Sequence, residues 1–386
     1  MRSTVATIDT DALAWNVSVI RKRAPNTAIL GMVKANAYGH GMVPVARILE
    51  HLGVDMLGVA FVDEALQLRR AGIITPIMVL TPNEPHEAAD IVAHDITPVV
   101  CSQAQAEGLS QAATAAQVVL KVHIYVDTGM HRDGFLPHDV VEEITTIKGL
   151  PSMIVDGLCT HFATADELHH PFIREQIERF DRVLAKCTEH HLTFTHVHAA
   201  NTGGIWQAPF AQYTMVRPGL SMYGYASPID EEMLLRPVMS IASRVLSLRQ
   251  IWPGDTVSYG QRYMASSATT IATVPIGYGD GYPRSLTGAS KCLIGGVEFP
   301  IVGTICMDEC MVDVGGAPVH VGDDVVLLGQ QGDERGRVHS IDATDLASWA
   351  HTIPYEITTL VSARVPRRYV GEYAPIAIGE RKEARV

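Results

Sequence analysis

Short apolar runs alternate with longer amphipathic stretches along the first part of the chain, and this alternation constrains the fold most. The runs are rich in Val, Ile and Leu, and most end near Gly, Pro, Asn, Asp or Ser: AILGMVKA (28–35), MLGVAFVD (56–63), PIMVLTP (76–82), ITPVVC (96–101), VVLKVHIYVD (118–127), MIVDGLCTHF (153–162), FTHVHAAN (194–201) and MVRPGLSMYG (215–224). Buried parallel strands have this composition. Helix-like stretches such as SQAQAEGLSQAATAA (102–116) lie between most of them. The pattern predicts an α/β fold, a (β/α)8 TIM-type barrel, with an open doubly wound sheet as the alternative.

The sequence pattern changes after about residue 235, where short strand-like segments are separated by Gly, Pro and Asp. These segments are VMSIASRVLSLRQI (238–251), TVSYG (256–260), ATTIATVPIGY (268–278), KCLIGGVEFPIVG (291–303), MVDVG (311–315) and DDVVLLG (323–329). Only SIDATDLASWAH (340–351) has a clear helical pattern. We therefore expect a mainly β C-terminal domain after the barrel.

The composition excludes several classes of function. A net charge of −12 and a pI of about 5.8 argue against binding to nucleic acid or anionic membranes, because both require a basic face. The chain has neither a signal-peptide pattern nor an apolar run long enough to span a membrane, so we expect a soluble, cytoplasmic protein. The six scattered cysteines are typical of reduced core thiols, and the histidine pairs fall mostly on polar helices, so we predict no metal site.

Five polar residues lie at or just past the C-terminal ends of predicted barrel strands: Lys34, Arg132, His161, Thr202 and Arg217. In a barrel these ends converge on one face, where such enzymes build their active sites. The sequence therefore predicts that these residues meet in one pocket.

Lys34 ends an apolar strand in the segment VKANAYGHG (33–41). Partial desolvation of a lysine lowers its pKa and favours the neutral amine that a Schiff base requires. The alternative is a lysine that extends its amine from a strand end into solvent. This segment alone does not decide between the two.

The segments NTGG (201–204) and RPGLSMYG (217–224) offer hydroxyls and backbone N–H groups suited to a phosphate. Arg217 is the more informative residue, because a guanidinium keeps its proton at ordinary pH. An arginine facing the pyridine nitrogen of pyridoxal 5′-phosphate (PLP) would leave that nitrogen unprotonated and weaken the ring as an electron sink. Such a site favours racemisation over deeper carbanion chemistry.

The motifs of both domains resemble those of the alanine racemase family, in family order along nearly the whole chain. In the first domain they are VKANAYGHG (33–41), DTGMHRDGF (127–135), THFATAD (160–166), HAANTGG (198–204) and VRPGLSMYG (216–224). In the second domain they are TVSYG (256–260), PIGYGDGY (275–282), VGTICMDECMVD (302–313) and IPYE (353–356). Nine motifs in the same order identify the chain as similar to this family.

The resemblance implies a PLP-dependent racemase that interconverts L- and D-alanine by two-base proton transfer on a PLP aldimine. It implies a barrel over 9–232 and a β-rich domain formed by 1–8 and 233–386. It also implies a homodimer with shared active sites, in which Lys34 of one chain and Tyr259 of the other are the two bases. Inverting Cα requires a proton to leave one face and arrive on the other, so one base alone is not enough.

The resemblance also implies roles for the remaining site residues. The cofactor-binding set is Lys34, Tyr38, Arg132, His161, His198, Asn201, Thr202, Arg217, Gly219, Leu220 and Tyr355. The substrate-binding set is Arg132 for the carboxylate, Met307 through its backbone N–H, and Tyr278 and Asp308 at the access path. Three other tyrosines are expected to be structural: Tyr225, Tyr263 and Tyr369.

The sequence departs from the family pattern near Arg132. Many relatives carry a carbamylated lysine seven residues before this arginine, and here that position is Tyr125, with Lys121 four residues earlier. Arg132 must then be held differently, by the Tyr125 hydroxyl or a bound anion, and no carbamylated lysine is expected. His131 stands where glycine is common, and Thr202 stands where serine is usual.

These departures keep alternative functions open. The first is racemisation of related small amino acids such as serine. The second is a PLP-dependent D-amino-acid lyase or decarboxylase on the same two-domain plan, although Arg217 stands where a decarboxylase has an acidic partner for the pyridine nitrogen. A non-catalytic PLP carrier would resemble the barrel alone and would lack Tyr259.

Overall fold

The computed structural model describes residues 2–226 and 235–379, and it divides into two compact units. The barrel unit comprises Leu13–Ala37, Met42–Arg236 and Pro375–Val386, and the β unit comprises Met1–Ala12, Tyr38–Gly41 and Pro237–Ala374. The predicted domain bounds, 9–232 and 1–8 with 233–386, stay predictions. Their junction at 232/233 lies within 227–234, outside the described residues.

Eight parallel strands form the sheet of the barrel unit. After β1 (Val5–Asp9), which belongs to the β unit, they are β2 (Ala28–Met32), β3 (Met56–Val59), β4 (Ile77–Val79), β5 (Ile96–Val100), β6 (Leu120–Tyr125), β7 (Met153–Cys159), β8 (His196–His198) and β9 (Met215–Val216). Their order is β8-β7-β6-β5-β4-β3-β2-β9. Backbone bonds from Thr214 N to Val197 O (3.0 Å) and from Arg217 N to Ala200 O (2.9 Å) join the two ends. The predicted barrel is confirmed, and the open doubly wound sheet is wrong.

Helices follow the strands, and in the longer ones the apolar residues recur every three or four positions and form one buried side. They are α1 (Thr10–Arg23), α2 (Met42–His51), α3 (Val62–Arg70), α4 (Ala88–Ala93), α5 (Gln103–Ala115), α6 (Val140–Lys148), α7 (Phe172–Glu189) and α8 (Thr202–Gln207). In α7 the buried side includes Ile173, Ile177 and Phe180, while charged residues cover the other side. None of the helices in 2–226 or 235–379 combines the length and the apolar character that a membrane span requires.

The last predicted barrel strand is much shorter than its apolar run. Only Met215–Val216 is extended, and Leu220–Tyr223 forms a 3-10 helix instead. The cause is Pro218, which lacks an N–H for a strand ladder, followed by Gly219. The Thr202 hydroxyl then accepts the N–H groups of Gly219 (3.1 Å) and Ser221 (3.3 Å). The strand prediction for 217–224 was therefore wrong.

The β unit is built around one ten-stranded sheet, as its turn-rich sequence predicts. Besides β1, the sheet contains β10 (Met239–Arg244), β11 (Ser247–Ile251), β14 (Thr269–Val274), β15 (Lys291–Ile294), β16 (Val297–Val302), β17 (Cys310–Gly315), β18 (Asp324–Gly332), β19 (Val338–Ile341) and β20 (Arg367–Val370). Two further strands, β12 (Thr256–Val257) and β13 (Tyr263–Met264), pair with each other in a separate small sheet. The helices of this unit are α9 (Ala343–Ala350) and α10 (Pro354–Thr359), whereas α11 (Ala374–Ala377) belongs to the barrel unit from Pro375 onward. The Asp342 side chain caps α9, which confirms the predicted helix at 340–351.

Candidate active site

The five polar residues predicted at barrel strand ends lie there in the structure. Lys34 follows β2 and Arg217 follows β9 directly, while His161 and Thr202 come a few residues after β7 and β8. Arg132 lies in the loop after β6. Because the strands are parallel, these loops share one face of the barrel. The electrostatic influence of Arg132 and Arg217 on the pKa of Lys34 agrees with this proximity.

Lys34 begins a left-handed turn that the sequence pattern did not predict. Ala35 and Asn36 have φ values of 51° and 55°. This left-handed conformation costs roughly 1–2 kcal/mol for each residue that is not glycine. The Glu64 carboxylate accepts the Ala35 N–H at 2.7 Å, and Asn36 Oδ1 accepts the Met42 N–H at 2.9 Å. These two bonds hold the turn that orients Lys34.

The electrostatic environment of Lys34 favours its neutral amine. Burial lowers the pKa of Lys34, and the positive charges of Arg132 and Arg217 lower it further against the opposing charge of Glu64. A neutral amine is the form that attacks a carbonyl. The environment therefore favours a reactive amine over one extended into solvent.

Arg217 is buried, with 4% of its surface exposed, and its hydrogen-bond acceptors among the described residues are all neutral. Its Nη1 donates to His198 Nδ1 at 2.8 Å, and its Nη2 lies 3.0 Å from His161 Nδ1. Nη2 also donates to the carbonyls of Thr160 (2.8 Å) and Ala199 (3.0 Å). Within the described chain its Nε–H makes no hydrogen bond, so this donor is available to a ligand.

The two histidines that bind Arg217 are held neutral. A guanidinium only donates, so Nδ1 of each ring accepts and the ring proton lies on Nε2. Burial lowers the pKa of His161 and His198 well below the usual value, and the charge of Arg217 lowers both further. The full positive charge therefore stays on Arg217.

The loops after β8 and β9 are joined through the Thr202 hydroxyl. Besides accepting the Gly219 and Ser221 N–H groups, this hydroxyl lies 3.3 Å from Ser221 Oγ. Asn201 caps α8 by accepting the Gly204 N–H at 3.0 Å. Leu220 is buried beside this junction. Hydroxyls and backbone N–H groups are thus concentrated where the sequence predicts a phosphate site.

The loop that carries Arg132 is folded around Asp127. Its carboxylate accepts the N–H of Gly129 (2.9 Å) and both the N–H (3.0 Å) and Nδ1 (3.1 Å) of His131. His131 has a φ of 52°, which explains why glycine suits this position. Arg132 is half exposed, and its Nε lies 3.1 Å from Asp133 Oδ2.

Tyr125 does not hold Arg132 in this structure, contrary to one of the two expected arrangements. Its hydroxyl is buried and has no hydrogen-bond partner among the described residues. Burial raises the pKa of Tyr125, and Cys159 raises it by a smaller amount. The charge of Arg132 acts in the opposite direction. Asp133 is the group that pairs with Arg132 instead.

Gln176 of α7 is a positioning residue that the sequence did not indicate. Its side chain is fully buried. Oε1 accepts the Ala163 N–H at 2.8 Å, and Nε2 donates to His161 O at 2.9 Å and to Thr128 Oγ1 at 3.2 Å. It therefore ties the His161 loop to the Arg132 loop. Its only sequence signal is a polar residue on the apolar face of α7.

The predicted residues of the β unit form an exposed group around the loop after β16. Tyr259 exposes 71% of its surface, Met307 51% and Tyr278 42%. Their backbones are nevertheless fixed, because Thr304 Oγ1 donates to Tyr259 O at 2.6 Å and Tyr278 N donates to Cys306 O at 3.0 Å. Asp308 pairs with Arg364 at 2.6 Å. Rigid backbones thus present these side chains outward.

Tyr38 and Tyr355 also lie in the β unit, with ring centroids 5.9 Å apart. Gly39 follows Tyr38 with a φ of 86°, and a Cβ there would come within 1.9 Å of Thr358 O. This close approach joins the Tyr38 segment to α10. The two tyrosines predicted to bind phosphate are therefore brought together.

The three tyrosines assigned to structure make local contacts. The hydroxyl of Tyr263 donates to Asp313, and that of Tyr369 donates to His40 O at 3.0 Å. Tyr225 is buried. Within residues 2–226 and 235–379, no group of three or more His, Cys, Asp or Glu side chains is arranged to hold a metal ion.

Two family models match this chain. Residues 8–227 match the model described as "Alanine racemase, N-terminal domain". Residues 238–369 match the model described as "Alanine racemase, C-terminal domain". Together they cover both the barrel and the β-rich region.

Individual relatives match over nearly their whole length. "Alanine racemase 1" of Clostridium acetobutylicum is 37% identical over 375 residues, which cover 96% of either chain. "Alanine racemase" of Geobacter sp. (strain M21) is 40% identical over 380 residues, 96% of this chain and 99% of the relative. The crystal structure of alanine racemase from D-cycloserine producing Streptomyces lavendulae is 37% identical with a TM-score of 0.89, covering 96% of this chain and 98% of that one. Alanine racemase from Bacillus anthracis with bound L-Ala-P has a TM-score of 0.88 at 34% identity, covering 97% and 96%.

Proposed function

Because this chain belongs to the alanine racemase family, we propose that it is a PLP-dependent enzyme that interconverts L- and D-alanine. The observation that carries this proposal is the arrangement of Arg217 between His161 and His198. A permanently charged donor at the pyridine nitrogen suits racemisation, because it limits how far negative charge spreads into the ring. Serine racemisation, lyase and decarboxylase activities have no comparable observation in their favour.

The residues of the barrel unit fit PLP. Lys34 offers an amine whose pKa is lowered by burial, which suits covalent attachment to the aldehyde of the cofactor. Arg217 offers Nε–H for the ring nitrogen. Asn201, Thr202, Gly219 and Leu220 lie in the loops suited to the phosphate. Tyr38 and Tyr355, which lie in the β unit, belong to the cofactor-binding set that the family resemblance implies.

When bound, PLP supplies an electron sink that takes up the electron pair of the Cα–H bond. The residues of the chain move the proton. Lys34 accepts or returns it on one face of Cα. Tyr259 acts on the opposite face, as inversion requires. His161, neutral and with its proton on Nε2, accepts from Nη2 of Arg217 through Nδ1 and helps to keep the guanidinium fixed.

Arg132 and Met307 bind the substrate carboxylate in this proposal. Arg132 is half exposed, and among the described residues it pairs with its neighbour Asp133 through Nε, so its remaining donors are available to an anion. Tyr278 and Asp308 narrow the access path.

The β-unit residues act in the active site of a second copy of this chain, so the active form is a homodimer. This is supported by Tyr259, which exposes 71% of its surface in the described structure although its backbone is held by the hydroxyl of Thr304. Tyr278 and Met307 are exposed in the same way. The enzyme is proposed to act in the cytoplasm.

Mixing two inactive variants tests the shared site. A heterodimer of Lys34→Ala and Tyr259→Phe chains contains one site with both wild-type bases and one site with neither. Random pairing of equal amounts would restore about one quarter of wild-type racemisation, since half of the dimers carry one working site of two. Neither variant alone should exceed traces. If the mixture stays as inactive as its components while subunit exchange is demonstrated, the two bases do not come from different chains.

A further inference from the structure

Two imidazoles extend inward from Arg217 along the inner face of the barrel. His198 of β8 binds Arg217 through Nδ1, and its Nε2 lies 2.8 Å from Nδ1 of His123 on β6. Strand β7 separates β6 from β8, and its Gly157 leaves the space that the His123 ring occupies. A Cβ at Gly157 would come within 2.3 Å of the His123 ring. We call His198 and His123 the imidazole row.

The hydrogen bonds of the imidazole row run in one direction. Arg217 donates to His198 Nδ1, so the single proton of neutral His198 lies on Nε2. That N–H donates to His123 Nδ1, which places the proton of His123 on its own Nε2. The reverse direction would require His198 to accept at both ring nitrogens, which a neutral imidazole does not do. The position of Arg217 therefore sets both tautomers.

Both rings are fully buried, so neither gains a proton from solvent at ordinary pH. Burial lowers the pKa of His123 to about 3, and it lowers that of His198 well below the usual value. His196, whose ring is stacked on His123 with centroids 5.6 Å apart, makes no bond to His198 or Arg217. Its Nδ1 is buried and has no hydrogen-bond partner in the described part of the chain, as is also true of His123 Nε2. The row that reaches Arg217 thus ends at His123.

We propose that His123 is a positioning residue for Arg217, a role that rests on the proposed function. It accepts the Nε2–H of His198 and thereby fixes the ring orientation in which Nδ1 faces the guanidinium. Without an acceptor, the buried Nε2–H of His198 would be unsatisfied, and the ring would rotate or exchange its proton position. Either change turns a donor or an apolar edge toward Nη1 of Arg217. The guanidinium would then lose its fixed direction toward the cofactor ring.

Two substitutions at one position separate this hydrogen bond from ring packing. His123→Phe keeps a planar ring and removes the acceptor, whereas His123→Asn supplies an oxygen close to the position of Nδ1. His196→Phe is the matched control, because it removes a neighbouring buried imidazole that does not bind the row. Urea unfolding and far-ultraviolet circular dichroism first establish that each purified variant is folded.

Three readouts follow the consequence for Arg217. The first is the dissociation constant of PLP from the apoprotein. The second is kcat and KM for alanine. The third is transamination, measured as the amount of pyridoxamine phosphate and pyruvate formed per racemisation event. If Arg217 no longer faces the ring nitrogen, the ring becomes a stronger electron sink, and the amino group passes to the cofactor more often. A merely structural change would not alter this partition.

We expect His123→Phe to lower kcat roughly 10- to 100-fold, the usual effect of losing a group that orients a ligand-binding residue. It should also weaken PLP binding and raise the transamination partition, while KM for alanine changes less than kcat because Arg132 is not involved. His123→Asn should recover most of the loss, and His196→Phe should match wild type. Equal behaviour of His123→Phe and wild type, or an equal defect in His196→Phe, would overturn the proposal.

A measurement on the wild-type protein keeps the proposal testable if His123→Phe does not fold. Histidine labelled with nitrogen-15 reports the tautomer of each ring, and the spectrum of His123→Asn identifies the His123 signals. Both rings of the row should be neutral with the proton on Nε2, and an Nδ1–H tautomer at either one would contradict the proposal. Wild-type protein that binds no PLP or racemises no alanine would instead refute the proposed function.

Discussion

His123 should make the folded protein sensitive to acid. Its folded-state pKa of about 3 lies far below the value near 6.5 expected in the unfolded chain. Between these values the unfolded chain binds a proton that the folded chain excludes. The free energy of unfolding therefore falls as the pH falls through this window, and the stabilisation is complete only above about pH 6.5.

The size of the effect follows from the two pKa values. Between pH 7 and pH 5 the unfolded His123 passes from mostly neutral to mostly protonated, while the buried ring stays neutral. The linkage relation then gives a loss of about 2 kcal/mol from this one group. His198 acts in the same direction, because its pKa is also lowered well below the usual value by burial.

Urea unfolding of the apoprotein at the two pH values measures this loss, with His123→Asn as the comparison. The variant keeps an acceptor for His198 and has no titrating group at this position, while all other ionisable residues are shared. The wild type should lose about 2 kcal/mol more than the variant between pH 7 and pH 5. Equal losses in the two proteins would refute the reasoning, because they would mean that His123 titrates alike in the folded and unfolded states.

Two further substitutions test the packing and the polar contacts of the same region. Gly157→Ala places a Cβ within 2.3 Å of the His123 ring and should destabilise the protein by about 1–3 kcal/mol in urea unfolding. In the control, Gly108→Ala in α5, the new Cβ meets nothing within 4 Å and should stabilise the protein by roughly 0.5–1 kcal/mol. A Gly157→Ala protein as stable as wild type would mean that the His123 ring does not occupy the space beside Gly157. Tyr125→Phe removes a buried hydroxyl that has no partner in the described chain and should leave the apoprotein equally stable or about 1 kcal/mol more stable. A clear loss of stability would show that the hydroxyl has a structural partner after all.

The sequence predicts the barrel well because its strands are buried on both sides and are therefore continuously apolar. All eight runs contain a strand, but the strands end earlier than the apolar runs, most clearly at 215–224, where Pro218 and Gly219 redirect the chain. Apolar composition reports burial and not backbone direction. A pattern of apolar residues does not predict the left-handed turn after Lys34, because this turn depends on a hydrogen bond to Glu64 of α3.

The candidate site is predicted only in part, for a related reason. Lys34, His161 and Arg217 were located by their places at strand ends, which are local features. His123 and Gln176 lie inside an apolar strand and an apolar helix face, and their importance depends on partners far along the chain. His123 is two residues before Tyr125 and so shares its strand face, which is the one local signal that it points toward the site. Long-range hydrogen bonds of this kind have no periodic trace in the sequence.

Arg217 illustrates why the buried acceptors are neutral. Among the described residues the guanidinium has neutral hydrogen-bond partners and no carboxylate in an ion pair, although a buried charge is costly to leave unpaired. Four neutral acceptors offset that cost through hydrogen bonds without cancelling the charge. Burial has the largest effect on the pKa of Lys34 and lowers it. The positive charges of Arg132 and Arg217 lower this pKa further. A carboxylate in place of either histidine would satisfy the hydrogen-bond donors of the guanidinium equally well, but it would cancel the positive charge. Because the imidazoles are neutral, the charge of Arg217 still favours the neutral amine of Lys34 while its Nε–H stays fixed in direction.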